Sequence, residues 1–348
     1  MNTKKRERLY YLDFIRAIST IVIVLTHFNA IYLYNVSPAR PECAVVTLWV
    51  SNIYIGSFGV SLFLIISGAA LMYVYGAREK VDWKRFYKQR FMTIYPMFWI
   101  AYFFVFLYHT YKYNGIMQGI PKRNIIFTII GMDGLLLNAQ AKVFYLIGEW
   151  FLGAIIILYI LFPLLLFLMK KYPVILGVMV MVIYCVTVAL GDKSVSVFVR
   201  LPEFMFGMYF VKYIKKVKWP LALAGLMVFI ANWIVAPNIS ENIQTTYVGI
   251  ASFLVLVYVS IFFKHKFYTG LCAIVCKYSF ACFLMHHYII SQMVAKFDLG
   301  TISRTNSYLL FLACCVVIVV ASYLLQKVHD SIMSFLKVSF QSKRVEGI

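Results

Sequence analysis

Long apolar segments alternate with short polar ones along almost the whole chain. Segments long enough to cross ~30 Å of hydrocarbon begin near residues 10, 45, 91, 143, 173, 195, 219, 246, 270 and 308. The first is too long for a cleavable signal peptide, holds internal charges and has no small-residue cleavage site, so it predicts a retained helix. The pattern predicts an all-α fold: a polytopic membrane helix bundle with about ten transmembrane helices.

Only three polar interruptions are long. They run from Gly76 to Arg90, from Lys112 to Lys142 and from Ala236 to Thr246. The second contains a weaker apolar run, Ile125 to Leu137, which predicts a re-entrant or interfacial helix. Because there is no low-complexity tract or internal repeat, we expect a single domain over residues 1–348, with no appended soluble domain.

Composition and charge agree with this class. Of 348 residues, 63% are hydrophobic and 13% charged, which a soluble domain could not accommodate without exposing apolar surface. Most Lys and Arg residues fall in alternate polar segments, so the positive-inside rule places both termini in the cytoplasm. The net charge of +20 therefore indicates topology and contact with anionic membrane lipid, and we expect no nucleic-acid partner.

The cysteines predict neither a disulfide nor a metal site. Only Cys43 lies in a predicted outer segment, where an exported disulfide would need a second cysteine. Cys272 and Cys276 are one helical turn apart, and Cys282 with His286 repeats that spacing, but no set of four ligands with zinc spacing emerges.

Three ionisable residues lie within the first apolar segment, LDFIRAISTIVIVLTHF. At ~100° per residue, Asp13, Arg16 and His27 fall on one stripe of a helix. Separately, the histidine could bond a neighbouring carbonyl, and the other two could form a local ion pair. Their alignment favours a polar pathway, because charges inside the membrane are costly and usually functional.

Cations also cluster around the start of the third segment, in FYKQRFMTIYPMFW. Arg90 stands where the cytoplasmic loop is expected to become helix, and Arg85 and Lys88 precede it. Such a group suits a polyphosphate, since Arg offers bidentate geometry and Lys a point charge. The positive-inside rule explains the same cations equally well.

Five further polar residues occur in apolar surroundings. Ser67 lies among small residues in GVSLFLIISG, a pattern that suits close helix packing or a narrow tunnel. Glu149 opens a span at its outer end, Arg200 and Glu203 are expected to pair at the outer mouth of another, and His286 is expected to be buried. Each alone is more typical of packing or capping than of catalysis.

In order and spacing, these segments resemble the acyltransferase-3 family of integral-membrane acyltransferases. The resemblance rests on Arg16 and, eleven positions later, His27, in an LDFIR-like context, and on five further blocks: GVSLFLIISG, RFMTIYPMFW, EWFL to YILFP, RLPEFMFGM and SFACFLMH. It covers nearly the whole chain. The chain departs from the family where a second arginine often stands, because Thr93 follows Arg90 at that spacing, and Arg85 or Lys88 would have to supply the charge.

The resemblance implies transfer of an acyl group, usually acetyl, from cytoplasmic acyl-CoA to a hydroxyl of a cell-envelope carbohydrate such as capsule or exopolysaccharide. Acetyl-CoA would be a donor substrate, with no tightly bound cofactor, and the protein would lie in the bacterial cytoplasmic membrane. His27 would act as general base or acyl carrier, Arg16 would stabilise negative charge, and Asp13 would orient Arg16.

The remaining candidates follow from the same scheme. We expect the donor to contact Arg90, Arg85, Lys88 and Ser67, and the acceptor to contact Glu149, Arg200, Glu203 and His286. A transporter or flippase of an envelope precursor is the main alternative, although two related halves with interrupted helices are not visible.

Overall fold

The computed structural model describes residues 7–115, 117, 119–148, 150–191 and 196–346, with backbone only at Asn138 and from residue 337. The helices are α1 (Tyr10–Tyr34), α2 (Ile55–Tyr75), α3 (Trp83–Lys112), α4 (Ile125–Ile129), α5 (Asp133–Asn138), α6 (Trp150–Lys171), α7 (Pro173–Ala189), α8 (Val197–Tyr209), α9 (Trp219–Val235), α10 (Glu241–Val259), α11 (Lys266–Val294) and α12 (Arg304–Glu346). Two short strands, β1 (Trp49–Val50) and β2 (Ile53–Tyr54), pair antiparallel.

The predicted all-α membrane fold is confirmed. Within the described residues, seven helices are long and apolar enough to cross a membrane: α1, α2, α3, α6, α10, α11 and α12. Helices α7 and α9 are apolar but shorter, and α8 is shorter still before a π-helical turn at Phe210–Ile214. The weak apolar run after residue 125 forms the two short helices α4 and α5, neither of which could span.

Several predicted starting points are wrong. The second span begins at Ile55 and not near residue 45, because residues 49–54 form the β-hairpin. The third begins at Trp83, where the carboxylate of Asp82 caps the helix by accepting a hydrogen bond from the Arg85 amide at 2.9 Å. The span expected near residue 143 begins at Trp150, since Gly148 with φ +75° turns the chain just before it.

The helices group into two compact units. The first comprises residues 1–81 and 151–279, and the second comprises residues 82–150 and 280–348. The first unit thus contains α1, α2, α6 to α10 and the beginning of α11. The second contains α3, α4, α5, the rest of α11 and α12.

Helix α2 is the central packing element of the first unit, as its small residues predict. A Cβ added at Gly68 would lie 1.9 Å from the Phe204 carbonyl oxygen, and one at Gly207 would lie 2.0 Å from that of Ile65, so α2 and α8 touch backbone to backbone. A Cβ at Gly249 of α10 would lie 2.0 Å from the Ser61 hydroxyl oxygen. Such close approach of helices is available only where a side chain is missing.

The outer side of the first unit is held by a hydrogen-bond network around Asn232. Its side-chain amide donates to the Ser51 carbonyl and to Gln244 Oε1, and its Oδ1 accepts from the Tyr247 hydroxyl. The hairpin turn at Ser51 and Asn52 has positive φ at both residues, as a tight two-residue turn requires. Hairpin, α9 and α10 are thereby joined into one element.

Candidate active site

The stripe of ionisable residues lies on a continuous helix. Helix α1 runs unbroken from Tyr10 to Tyr34, and Asp13, Arg16 and His27 are all half-buried. The predicted common face is therefore present, in the first unit. The three side chains are neither sealed in the core nor fully exposed.

The partner of Asp13 differs from the expected one. Its carboxylate forms an ion pair with Arg8 Nε, from the segment just before α1, and not with Arg16. The Asp13 side chain is 13% exposed and that of Arg8 is 62% exposed, so the pair reaches from the bundle towards the surface. The pairing holds the pKa of Arg8 above its ordinary value. The local ion pair between Asp13 and Arg16, one of the two interpretations of the sequence, is absent among the described residues.

Arg16 makes no ion pair within the described part of the chain, which leaves its charge available. Its backbone carbonyl accepts the Thr20 hydroxyl at 2.8 Å, within the helix. Across from α1, the thiol of Cys276 on α11 donates to the Asp13 carbonyl oxygen at 3.3 Å. The beginning of α1 is thus fixed against α11, whereas no carboxylate of the described residues pairs with the Arg16 guanidinium.

The outer half of α1 is fixed by a residue that sequence reasoning missed. Asn29 is fully buried, donates its amide to the Val46 carbonyl at 3.0 Å and accepts the Val45 N–H at 2.9 Å. Two residues along a helix turn by ~200°, so this clamp lies on the face opposite His27. The outer loop therefore anchors α1 without covering the histidine's face from that side.

The cations of the second unit lie on α3 itself and not on a loop before it. Arg85 and Lys88 are exposed, whereas Arg90 is half-buried with its guanidinium 5.8 Å from the centre of the Phe86 ring. At ~100° per residue, Arg90 lies ~140–160° around the helix from the other two. Thr93 lies ~80° around the helix from Arg85 and ~140° from Lys88, so Arg85 is the nearer of the two to the face where the arginine is absent.

Ser67 and the pair of charges on α8 also lie in the first unit. The Ser67 hydroxyl donates to the Phe63 carbonyl at 2.7 Å within α2, so its hydrogen is used locally. Arg200 and Glu203 form the expected pair, at 3.2 Å between Arg200 Nη1 and Glu203 Oε1. Both side chains are almost completely buried, at 2% and 0% exposure. The prediction that this pair lies at the open outer mouth of a span is therefore wrong.

His286 is buried as expected, in the second unit. Its Nδ1 lies 3.0 Å from the Cys282 carbonyl oxygen and 2.8 Å from that of Phe283. Because carbonyl oxygens only accept, Nδ1 carries the hydrogen, and Nε2 is the basic nitrogen of the neutral ring. Glu149, the remaining candidate, lies outside the described residues.

Asp133 is a second buried acid that the sequence did not single out. Its Oδ2 accepts the Thr128 hydroxyl at 2.6 Å, and its Oδ1 is buried with no hydrogen-bond partner among the described residues. Burial raises the pKa of Asp133 to about 6. No group of three or more His, Cys, Asp or Glu side chains suited to a metal ion occurs in the described ranges.

Comparison with known proteins identifies the family. The family model described as an acyltransferase domain, of the acyltransferase-3 type, matches residues 9–327. No curated protein and no solved structure matches the chain significantly. The match takes in α1 with Arg16 and His27, the cationic start of α3, and the buried pair on α8. The chain, a multi-pass helical membrane protein, therefore belongs to the acyltransferase-3 family and carries its acyltransferase domain.

Proposed function

We propose that the protein transfers an acyl group, most simply acetyl, from acyl-CoA to a hydroxyl of a cell-envelope carbohydrate, in a bacterial cytoplasmic membrane. The observation that supports this most directly is the joint occurrence of Arg16 and His27 on one half-buried face of α1 in an acyltransferase domain. Coenzyme A supplies an activated thioester, and a sugar hydroxyl becomes a useful nucleophile only as its proton is removed.

His27 is proposed as the group that moves the proton. Its imidazole takes the hydroxyl proton while the oxygen attacks the thioester carbonyl, forming a new C–O bond. The tetrahedral intermediate carries negative charge on the former carbonyl oxygen, which the Arg16 guanidinium can stabilise. Collapse breaks the C–S bond, and the imidazolium returns its proton to the departing thiolate.

A covalent route uses the same residue. The imidazole nitrogen attacks the thioester carbonyl, the C–S bond breaks, and the thiolate leaves as coenzyme A thiol with the ring proton. The acceptor hydroxyl then attacks the acyl-imidazole, the C–N bond breaks, and the hydroxyl proton passes to the released imidazole nitrogen. Incubation with acetyl-CoA labelled in the acetyl group, without acceptor, separates the two routes. Label that binds covalently to the protein, and that His27→Ala does not bind, supports the covalent route. If the protein binds no label but transfers acetyl at the full rate when acceptor is added, the general base is supported.

Roles for the other polar residues rest on their surroundings. We propose Arg90 as the principal contact for the donor's phosphates, since it is half-buried and stacked, with Arg85, Lys88 and Ser67 as weaker candidates. Glu149 and His286 remain candidates for acceptor binding. Arg200 and Glu203 form a buried ion pair, although Glu203 Oε2 has no hydrogen-bond partner among the described residues. The pair supports a role in holding α8 more than in contacting the acceptor.

The test compares two histidine variants of the full-length protein reconstituted in lipid. His27→Ala should lower the rate of acetyl transfer by ~10²- to 10⁴-fold, the usual worth of general-base assistance. His286→Ala is the control, because that imidazole is fixed by its own helix and should cost less. Transfer at a near-normal rate by His27→Ala, at matched abundance and thermal stability, would contradict the proposal.

A further inference from the structure

An apolar groove runs along the first unit between α7 and the end of α8. It has a volume of about 950 Å³, and its lining includes Pro173, Val178, Met181 and Cys185 from α7 with Tyr209 and Tyr213 opposite. Val178 and Met181 are about half exposed, at 58% and 50%. In a membrane protein such a surface faces hydrocarbon, so its natural occupant is an apolar chain.

One glycine lies beside the tyrosine that closes the groove. A Cβ at Gly177 would lie 3.1 Å from the Tyr209 hydroxyl oxygen, so a side chain there would crowd the tyrosine. That hydroxyl donates to the Pro173 carbonyl and fixes the ring against α7. The described groove residues from Pro173 to Val186 span ~20 Å of helix rise, somewhat more than the ~15 Å of one leaflet.

One end of the groove is marked by two lysines and by aromatic residues. Lys171 lies 5.1 Å from the centre of the Tyr172 ring, immediately before Pro173. Lys212 lies 4.9 Å from the Tyr213 ring and donates to the Met169 carbonyl, joining the π-helical turn to the end of α6. Lysines beside tyrosines are typical of the level of lipid headgroups, here on the side assigned to the cytoplasm.

We propose that this groove is a binding site for an anionic glycerophospholipid, with one acyl chain along α7 and its phosphate beside Lys171 and Lys212. No described lining residue is acidic, so nothing there complements a choline or ethanolamine headgroup. A second copy of the chain is a poorer occupant. In a two-fold interface about the membrane normal, the same lysines would meet at the same depth and repel.

The experiment measures lipid retained by the full-length protein in native mass spectrometry. Phosphatidylglycerol and phosphatidylcholine with matched chains are titrated separately into the detergent-purified protein. We expect phosphatidylglycerol to bind more tightly at one site. Lys171→Gln with Lys212→Gln should weaken that binding about 30-fold, since each lysine near an anionic lipid surface contributes about fivefold. Lys264→Gln with Lys266→Gln, two exposed inner lysines elsewhere, should change it less than twofold.

A second variant tests the groove and not the charge. Met181→Trp should fill the groove and lower the affinity for phosphatidylglycerol at least tenfold, whereas Met227→Trp, on the exposed face of α9, should not. Thermal unfolding of each pair in detergent confirms that the comparison is between folded proteins. Equal affinity for both lipids, equal effects of the two tryptophans, or a dimer that Met181→Trp dissociates would overturn the proposal.

Discussion

Helix α2 of the first unit and helix α3 of the second are both long and apolar, yet they are covered very differently. In their most apolar stretches, 67% of α2 is buried but only 33% of α3. Helix α2 presents Gly68 to the backbone of α8 and Ser61 to Gly249 of α10. Helix α3 carries exposed aromatic residues such as Phe103, Phe104 and Tyr108. Helices of similar hydropathy therefore have different roles. Packing against neighbouring helices constrains the sequence of α2, whereas the sequence of α3 is constrained by what its exposed surface and its cationic start bind.

The largest expected effect on stability concerns the buried ion pair on α8, the helix that packs against α2. Glu203→Ala should lower the free energy of unfolding by ~3–5 kcal/mol, because it leaves the Arg200 guanidinium buried without its carboxylate. Thermal unfolding in detergent measures this. The double variant Arg200→Met with Glu203→Leu should recover most of the loss, since apolar residues of similar volume replace both charges. A double variant as unstable as the single one would contradict a structural pair.

The next effect tests the backbone contact of α2 itself. Gly68→Ala should destabilise the protein by ~1–3 kcal/mol or more, because the new methyl group would press on the Phe204 carbonyl oxygen. Gly270→Ala is the control within the same unit, since a Cβ there meets nothing within 4 Å and α11 gains a better helix former. Membrane abundance and melting temperature distinguish them. Similar melting temperatures for both variants would mean that α2 and α8 are not in contact there.

On α3, the expected effect is on donor binding and not on folding. Arg90→Ala should raise the KM for acetyl-CoA about tenfold, as loss of one charge-assisted contact predicts, with little change in melting temperature. Arg85→Ala should have a smaller effect, because that side chain lies on another face of α3. Lys264→Ala, an inner lysine outside α3, serves as the control. Equal KM values for the three variants would indicate that these cations set membrane topology and do not bind the donor.

The smallest effect concerns Asp133 in the second unit. Because its pKa is raised to about 6 in the folded protein, the ionised form destabilises the fold as pH rises from about 4 to above 6. Asp133→Asn should therefore raise the free energy of unfolding by ~1–2 kcal/mol at pH 8 and change it little at pH 4. Unfolding curves at the two pH values test this. A gain that is independent of pH would show that ionisation of this carboxyl is not the cause.

The sequence predicted the helices well because each apolar segment is a local signal. The starts at residues 10, 173 and 219 match the structure, and the stripe on α1 follows directly from helical periodicity. The starts near 45, 91 and 143 failed where short local devices move the boundary: a hairpin, the Asp82 cap and the Gly148 turn.

The contacts within the candidate site were less predictable, because they join residues that are far apart in the chain or that lie outside the helix. Asp13 pairs with Arg8, which lies in the non-helical segment before α1, where helical periodicity does not apply. Asn29 binds the backbone at Val45 and Val46, and Cys276 reaches Asp13 across 263 positions. The hydropathy pattern contains no information about such contacts.

The network around Asn232 has a consequence for hydrogen exchange of the outer segment. The Ile55 amide, at the start of α2, donates to the Leu48 carbonyl at 2.8 Å, and the Tyr54 amide of β2 donates to Glu241 Oε1 at 3.1 Å. Through the Tyr54 bond, the hairpin amides open together with the contact to α10. Their deuterium uptake should therefore follow the opening of α10, on the slow timescale of a cooperative unit and not on that of a surface loop.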